Sequence, residues 1–306
     1  MCRLFAFRSI IPSQMHRSLV GAENALLHQS TLHPDGWGVA YYQGGCPHVI
    51  KSTESAIDDR LFHRVSGVVA SETVVAHLRR ATTGELSILN THPFQFGRWI
   101  FAHNGNLNGF ESHADALRQH VAPALRRFLL GQTDSETLFY IILTHLMDKV
   151  DLHLTSITAQ QAVQAVIDAL TAVCSIVPVH GRTDGPSDET YLSFVLTNGE
   201  VMLAHQGGQS LHISTHKTRC SARDSCPHLE KSCESPVPRQ SGARVNHLIV
   251  ASEPLRGENV WQALGYGDIV ATNRNMTLEW GQFDYTRHIG ALTSTPPSRG
   301  PAGANS

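Results

Sequence analysis

Apolar and polar positions divide the chain into strand-like runs, a helical block, and strand-like runs again. Residues 2 to 8 alternate and are rich in Leu and Phe, which predicts a strand opening with Cys2. Residues 15 to 29 carry apolar positions at helical spacing and predict a helix. Runs of β-branched or aromatic residues bounded by Gly, Pro, Ser or Asn predict strands at 37–42, 48–52, 73–79 and 99–103. Helical spacing returns at 111–129, 134–148 and 158–174. Pro123 is expected to bend or break the first of these, and Thr133 to cap the second ahead of Asp134 and Glu136. The chain then reads as a meander of adjacent antiparallel strands at 191–197, 200–205 and 211–215, with T-N-G-E as its first turn. A last strand set is expected at 247–251 and 268–280.

Strands, then helices, then strands predict an α+β layered protein with antiparallel sheets rather than a wound βαβ sheet. There is no internal repeat and no G-x-G-x-x-G. Residues 216–246 are rich in Ser, Pro, Arg and Cys without periodicity and read as a long loop insertion. Ser294 to Ser306 are small, Pro- and Gly-rich, so the expected organisation is one domain over 2–291 and a disordered tail over 292–306.

Composition narrows the function classes. A chain of 306 residues with 41% hydrophobic and 16% charged residues can bury a large core. A net charge of -2 and the absence of a Lys/Arg run argue against a nucleic-acid partner. The most apolar window, 162–179, is interrupted by Gln164 and Asp168, so no membrane span is expected. The start M-C-R-L-F-A-F-R-S lacks the pattern of a signal peptide, so none is expected, and six irregularly spaced cysteines then suggest free thiols in a reducing cytoplasm.

Chemistry concentrates at a few positions. With Met1 removed, Cys2 carries a thiol and an α-amine on one residue, a nucleophile with its own base; the plain reading is a small residue starting a buried strand. F-A-H-N-G-N-L-N-G at 101–109 puts Asn104 and Gly105 where an apolar strand turns polar. An Asn amide and a Gly N–H suit an oxyanion, and Asn-Gly equally suits a hairpin turn. V-V-A-H-L-R-R-A-T-T-G at 74–84 offers Arg79 either as a bidentate partner for a carboxylate or as a strand-end surface residue. N-T-H-P-F at 90–94 places His92 before a proline, in extended backbone. G-Q-T-D-S-E-T-L at 131–138 sets Asp134 at a helix start, where it also complements the helix dipole. H-P-D-G-W-G at 33–38 is a tight turn before a strand.

In this order, M-C-R, D-G-W-G, H-x-R-x-A-T-x-G, N-T-H-P-F, H-N-G-N-L and T-D-S-E resemble the class II glutamine amidotransferases, which are N-terminal-nucleophile hydrolases. The resemblance extends from Cys2 to about Trp280 and is nearest to stand-alone bacterial members and to the related proteins of glutathione degradation and ergothioneine synthesis, with V-A-S-E-P-L at 250–255 and Trp261 following the helical block. It implies a four-layer αββα sandwich of two antiparallel sheets. It implies Cys2 as nucleophile with its α-amine as base, Asn104 and Gly105 as the oxyanion hole, Arg79 as the clamp on the α-carboxylate of glutamine, and Asp134 as the partner of its α-ammonium. Thr82, Thr83 and His92 match flanking pocket positions. Arg80 departs from the pattern, because the sugar-phosphate synthases of the family have Trp there. The implied reaction is hydrolysis of a γ-amide through a γ-glutamyl thioester, without a cofactor. The substrate is a small molecule, glutamine or a γ-glutamyl amide, and the ammonia acceptor or a peptidase subunit would be a separate partner.

Two other readings stand beside this one. A γ-glutamyl hydrolase acting on a glutathione-like or thiol conjugate needs no ammonia acceptor. A non-catalytic, metal-binding or regulatory module would draw on Cys220, Cys226, His228 and Cys233, whose C-x5-C-x-H-x4-C spacing departs from the paired C-x2-4-C of zinc sites.

Overall fold

The computed structural model describes residues 2–289 apart from 15, 23, 82, 83, 155, 182, 184, 185, 187, 222 and 225. The expectations for Thr82, Thr83 and the tail at 292–306 lie outside the described residues.

The first strand, β1 (Arg3–Gln14), is buried on both faces over Leu4–Arg8, and its alternation sorts two apolar faces rather than an apolar from a polar one. Leu4 and Ala6 face one core, whereas Phe5 and Phe7 face another. The chain continues through α1 (Leu26–Gln29), β2 (Trp37–Gln43), β3 (Cys46–Ser52), α2 (Arg60–Val68), β4 (Ala70–Leu78), β5 (Phe94–Phe96) and β6 (Trp99–Asn106). A helical block follows: α3 (Phe110–Gln119), α4 (Pro123–Arg126), α5 (Asp134–Met147) and α6 (Ala159–Cys174). The last strands are β7 (Tyr191–Thr197), β8 (Met202–His205), β9 (His212–Ser214), β10 (His247–Ala251), β11 (Gln262–Ala263), β12 (Asp268–Thr272) and β13 (Leu278–Gln282).

Two sheets result, with strand orders β11-β9-β10-β1-β4-β2-β3 and β13-β12-β8-β7-β6-β5. Every pairing is antiparallel. Leu4, Ala6 and Val75 of the first sheet meet Ile100, Ala102 and Val195 of the second in the central core. Phe5 and Phe7 pack outward with Leu26 of α1 and Phe62 and Val65 of α2. Phe101 and Phe194 pack on the opposite outer side with Leu138 and Phe139 of α5 and Val166 of α6. Helix, sheet, sheet, helix is the four-layer αββα order. Fully burying each Leu, Ile or Phe contributes roughly 1.5–3 kcal/mol, an upper estimate.

Several elements differ from their expected form. The helix expected at 15–29 is a π-helical turn at Arg17–Gly21, a break, and the short α1. The break is held by Asn24, whose amide donates to Pro254 O at 2.9 Å and whose Oδ1 accepts from Arg256 N at 2.8 Å. Pro123 starts α4, as its fixed φ and missing N–H allow, and divides 111–129 into two helices. The meander is corrected at its third strand: β7 and β8 form a hairpin, but β9 crosses to the other sheet and pairs with β10 and β11. The run 268–280 is two strands joined by a turn at Asn273–Thr277, in which Met276 takes φ 56°. The insertion at 216–246 holds a 3-10 turn at Lys231–Cys233 and packs down through buried Cys233 and Val245. No helix of the described residues is long and apolar enough to cross a membrane.

Candidate active site

Antiparallel pairing decides what stands beside Cys2. Arg3 of β1 pairs with Leu78, the last residue of β4, so the chain ahead of β1 meets the chain leaving β4. There the Arg80 N–H donates to Cys2 Sγ at 3.3 Å, and the thiol donates to Arg80 O at 3.5 Å. Cys2 is partly exposed. By strand alternation it shares the face of Leu4 and Ala6, toward the second sheet. Burial pushes its thiol pKa up, against the pull of the Arg80 N–H and the Arg79 charge, with Asp134 reinforcing the rise. The two charges expected to hold a zwitterionic substrate therefore both act on the thiol.

Arg79 is fixed at both its backbone and its head. Its N–H donates to Gly36 O at 2.8 Å and its carbonyl accepts from Asp35 N at 3.2 Å, while Asp35 Oδ2 accepts from Ala81 N at 2.9 Å. The D-G turn ahead of β2 is thus the cradle of the arginine. The guanidinium donates to Glu85 O at 3.2 Å and Gly84 O at 3.4 Å. Burial lowers its pKa, opposed by Cys2 and Asp35.

Asn104 and Gly105 lie inside β6, paired with Ser193 and Leu192 of β7, so the hairpin-turn reading does not apply. A Cβ at Gly105 would stand 1.9 Å from Tyr191 O and 2.4 Å from His103 Nε2, and only glycine fits. Asn104 Nδ2 donates to Ser252 Oγ at 3.4 Å, and that hydroxyl also accepts from Leu4 N at 3.0 Å. Ser252 N donates to Leu4 O at 2.9 Å, and Glu253 forms an ion pair with Arg3. The S-E pair after β10 thereby ties the residues next to Cys2 to Asn104.

Asp134 opens α5 behind the Thr133 cap, which accepts from Glu136 N at 3.2 Å. Its Oδ2 accepts from Leu107 N at 2.7 Å and its Oδ1 from Ser135 N at 2.7 Å and Ser135 Oγ at 3.2 Å. A carboxylate has about four acceptor positions, so one remains for a cation. The helix-start role of Asp134 thus leaves its carboxylate able to take a further partner.

His92 stands apart from these polar ends. Its ring is buried, 4.3 Å from that of His77 and 4.6 Å from that of Phe94, with both nitrogens unpartnered. Burial, with help from the neighbouring charges, pushes its pKa well down. His77 Nε2 lies 3.1 Å from His103 O and, facing a carbonyl, donates. His103 bridges Ser135 Oγ and Tyr191 O at 2.9 Å each. His77 is thereby joined to His103, and His103 reaches Ser135, the neighbour of Asp134. The roles of His77, His103, Ser135 and Ser252 were not signalled by the sequence beyond their places inside the motifs, because each acts through a partner distant in the chain.

The cysteine-bearing part of the insertion lies on the other face of the first sheet, whereas Val237, Ala243 and Val245 pack into the central core. Cys220, Cys226, His228 and Cys233 border a cavity of about 440 Å³ with Phe5 and Phe7, the outward residues of β1. Cys233 Sγ accepts from Asn246 Nδ2 at 2.9 Å and from Glu230 N at 3.5 Å. Among the described residues, no three His, Cys, Asp or Glu side chains converge as a metal site requires.

The chain matches the family described as glutamine amidotransferases class-II over residues 1–291. The chain belongs to the class II glutamine amidotransferases. It is 29% identical over 210 residues to a putative glutamine amidotransferase of Haemophilus influenzae, covering 67% of this chain and 63% of that protein. A γ-glutamyl-hercynylcysteine sulfoxide hydrolase of Mycobacterium tuberculosis is 36% identical over 75 residues, 24% of this chain and 32% of its own. The solved structure of a glutamine aminotransferase class-II domain protein from Silicibacter pomeroyi shares the amidotransferase fold, with TM-score 0.59 at 19% identity over 92% of this chain and 99% of that one.

Proposed function

We propose that the protein hydrolyses the γ-amide of glutamine or of a γ-glutamyl amide, with Cys2 as nucleophile once Met1 has been removed. The observation that carries this reading is the gathering of Cys2, Arg79 and Asp134 at one end of the central strands, with Asn104 anchored two residues along β1 through Ser252. Arg79 holds the α-carboxylate of the substrate and Asp134 its α-ammonium, which presents the γ-carbonyl to the thiol. Burial pushes the thiol pKa up, so the thiol requires a base, and the α-amine of Cys2 supplies it, directly or through a water. The sulfur attacks the γ-carbonyl carbon, and Asn104 Nδ2 and the Gly105 N–H receive the oxyanion. Collapse expels ammonia or an amine, which takes the proton from the α-ammonium, and leaves a γ-glutamyl thioester. Water cleaves the thioester to glutamate and restores the thiol.

A second reading, a γ-glutamyl hydrolase without an ammonia acceptor, draws support from the similarity to the mycobacterial hydrolase. Glutamate release from free glutamine and from a panel of γ-glutamyl amides separates the two. Steady turnover of glutamine favours an amidotransferase-type glutaminase that passes ammonia to a separate partner, and preference for a γ-glutamyl peptide or thiol conjugate favours the hydrolase. Turnover that persists in Cys2→Ala protein overturns both.

A further inference from the structure

We propose that the pole of the sandwich opposite Cys2 is a binding site for a phosphate group, held by Arg8, Arg98 and Arg274. Cys2 precedes β1, and Arg8 lies six residues further on, about 20 Å along an extended strand. There the two sheets leave a cavity of about 480 Å³, bordered by these three arginines, by the Gly44–Gly45 turn between β2 and β3, and by the Gly199–Glu200 turn between β7 and β8. The volume falls in the range of small-molecule sites and exceeds what a bare ion needs.

The guanidiniums are differently committed. Arg8 is the fixed member, buried, donating from Nε to Glu200 O at 3.0 Å and from Nη1 to Thr73 Oγ1 at 2.9 Å. Its nearest carboxylate, Glu72, is 3.9 Å away and half exposed, a contact too long for a charge-assisted hydrogen bond. Arg98 and Arg274 make no ion pair and no side-chain hydrogen bond among the described residues, and the Nε of Arg98 is buried without a partner. The Arg98 guanidinium lies against the turn, 3.4 Å from where a Cβ of Gly45 would stand, and Gly44 and Gly45 take φ of 58° and 76°. A side chain there would meet both the backbone strain and the arginine. The charge of Arg274 reaches Arg8, a like-charge approach that Glu72 and Glu200 oppose. Three cations against two carboxylates leave the cavity positive, and guanidiniums converging on one space match the oxygens of a phosphate.

The full-length protein is titrated calorimetrically with orthophosphate and, separately, with phenyl phosphate. Saturable binding of either supports the site, and the tighter of the two tells whether free phosphate or a phosphate monoester is the ligand. In the Arg98→Ala/Arg274→Ala protein, which loses no bond of the fold, affinity should fall at least tenfold while glutamate release changes less than twofold. Glu72→Gln removes an opposing carboxylate and should tighten binding severalfold. Absence of saturable binding by both probes, equal affinity in the double variant, or unchanged or weaker binding in Glu72→Gln overturns the proposal.

Discussion

The hydroxyl of Ser252 accepts from Leu4 N and from one amide hydrogen of Asn104, which leaves the second amide hydrogen of Asn104 for an oxyanion. On the proposed mechanism Ser252 is thus a positioning residue, aligning the strand that follows Cys2 with Asn104. Ser252→Ala is expected to lower kcat on the order of tenfold with KM nearly unchanged, and Ser252→Thr to recover most of it, in steady-state glutamate release. Asn104→Ala should cost about 10²-fold or more, as loss of an oxyanion donor does. A rise in KM without a fall in kcat for Ser252→Ala would place the hydroxyl in substrate binding instead. The residue types of the candidate site are legible in the sequence: a thiol at position 2, an arginine leaving a strand, Asn-Gly and an acidic helix start. The role of Ser252 is not, because its partners lie 248 and 148 residues away in the chain. Likewise Asn-Gly reads locally as a turn, and only the pairing of Gly105 with Leu192 makes it a strand.

At the scale of elements, local signals worked where local bonds decide the outcome. Thr158 caps α6 by accepting from Gln161 N at 3.1 Å, and Gln161 Oε1 accepts from Thr158 N at 2.9 Å, a reciprocal box formed within four residues. Thr158→Ala should destabilise the fold by about 1 kcal/mol in urea unfolding without altering turnover, since α6 carries none of the site residues. Elements decided by distant partners were not legible. The 15–29 segment has helical spacing, but the carbonyl of Pro254 and the N–H of Arg256 claim Asn24 and break it. β9 follows β8 closely in sequence yet pairs with β10 in the other sheet, a choice that alternation within a run cannot express. The sequence does not predict the short β5 and β11, which are too brief to carry a pattern, or the helix α2.

Across the whole molecule, two facing sheets bury ionisable rings that the unfolded chain exposes. Burial lowers His77 and His205 to about 3. In the unfolded chain both protonate near 6.5, so between those values the unfolded state binds more protons. Their contribution is complete above about pH 6.5 and is lost as pH falls toward 3, about 2 kcal/mol from each by pH 5. Denaturant unfolding at pH 7 and pH 5 should show this loss, and equal midpoints would contradict it. The same layering separates the faces of β1: Cys2 is directed toward the second sheet, and the cysteine-bordered cavity lies behind the strand. The layered α+β class was legible from the order of strands and helices, whereas the assignment of strands to sheets was not. On the proposed mechanism the thiol of a processed N-terminal Cys2 carries the γ-glutamyl group. Acid quenching of the protein with glutamine, followed by mass spectrometry of the N-terminal peptide, detects this intermediate. The expected peptide begins at Cys2 and bears one γ-glutamyl adduct on its sulfur, absent from Cys2→Ala protein. An active protein that retains Met1, or an adduct on another residue, would contradict it.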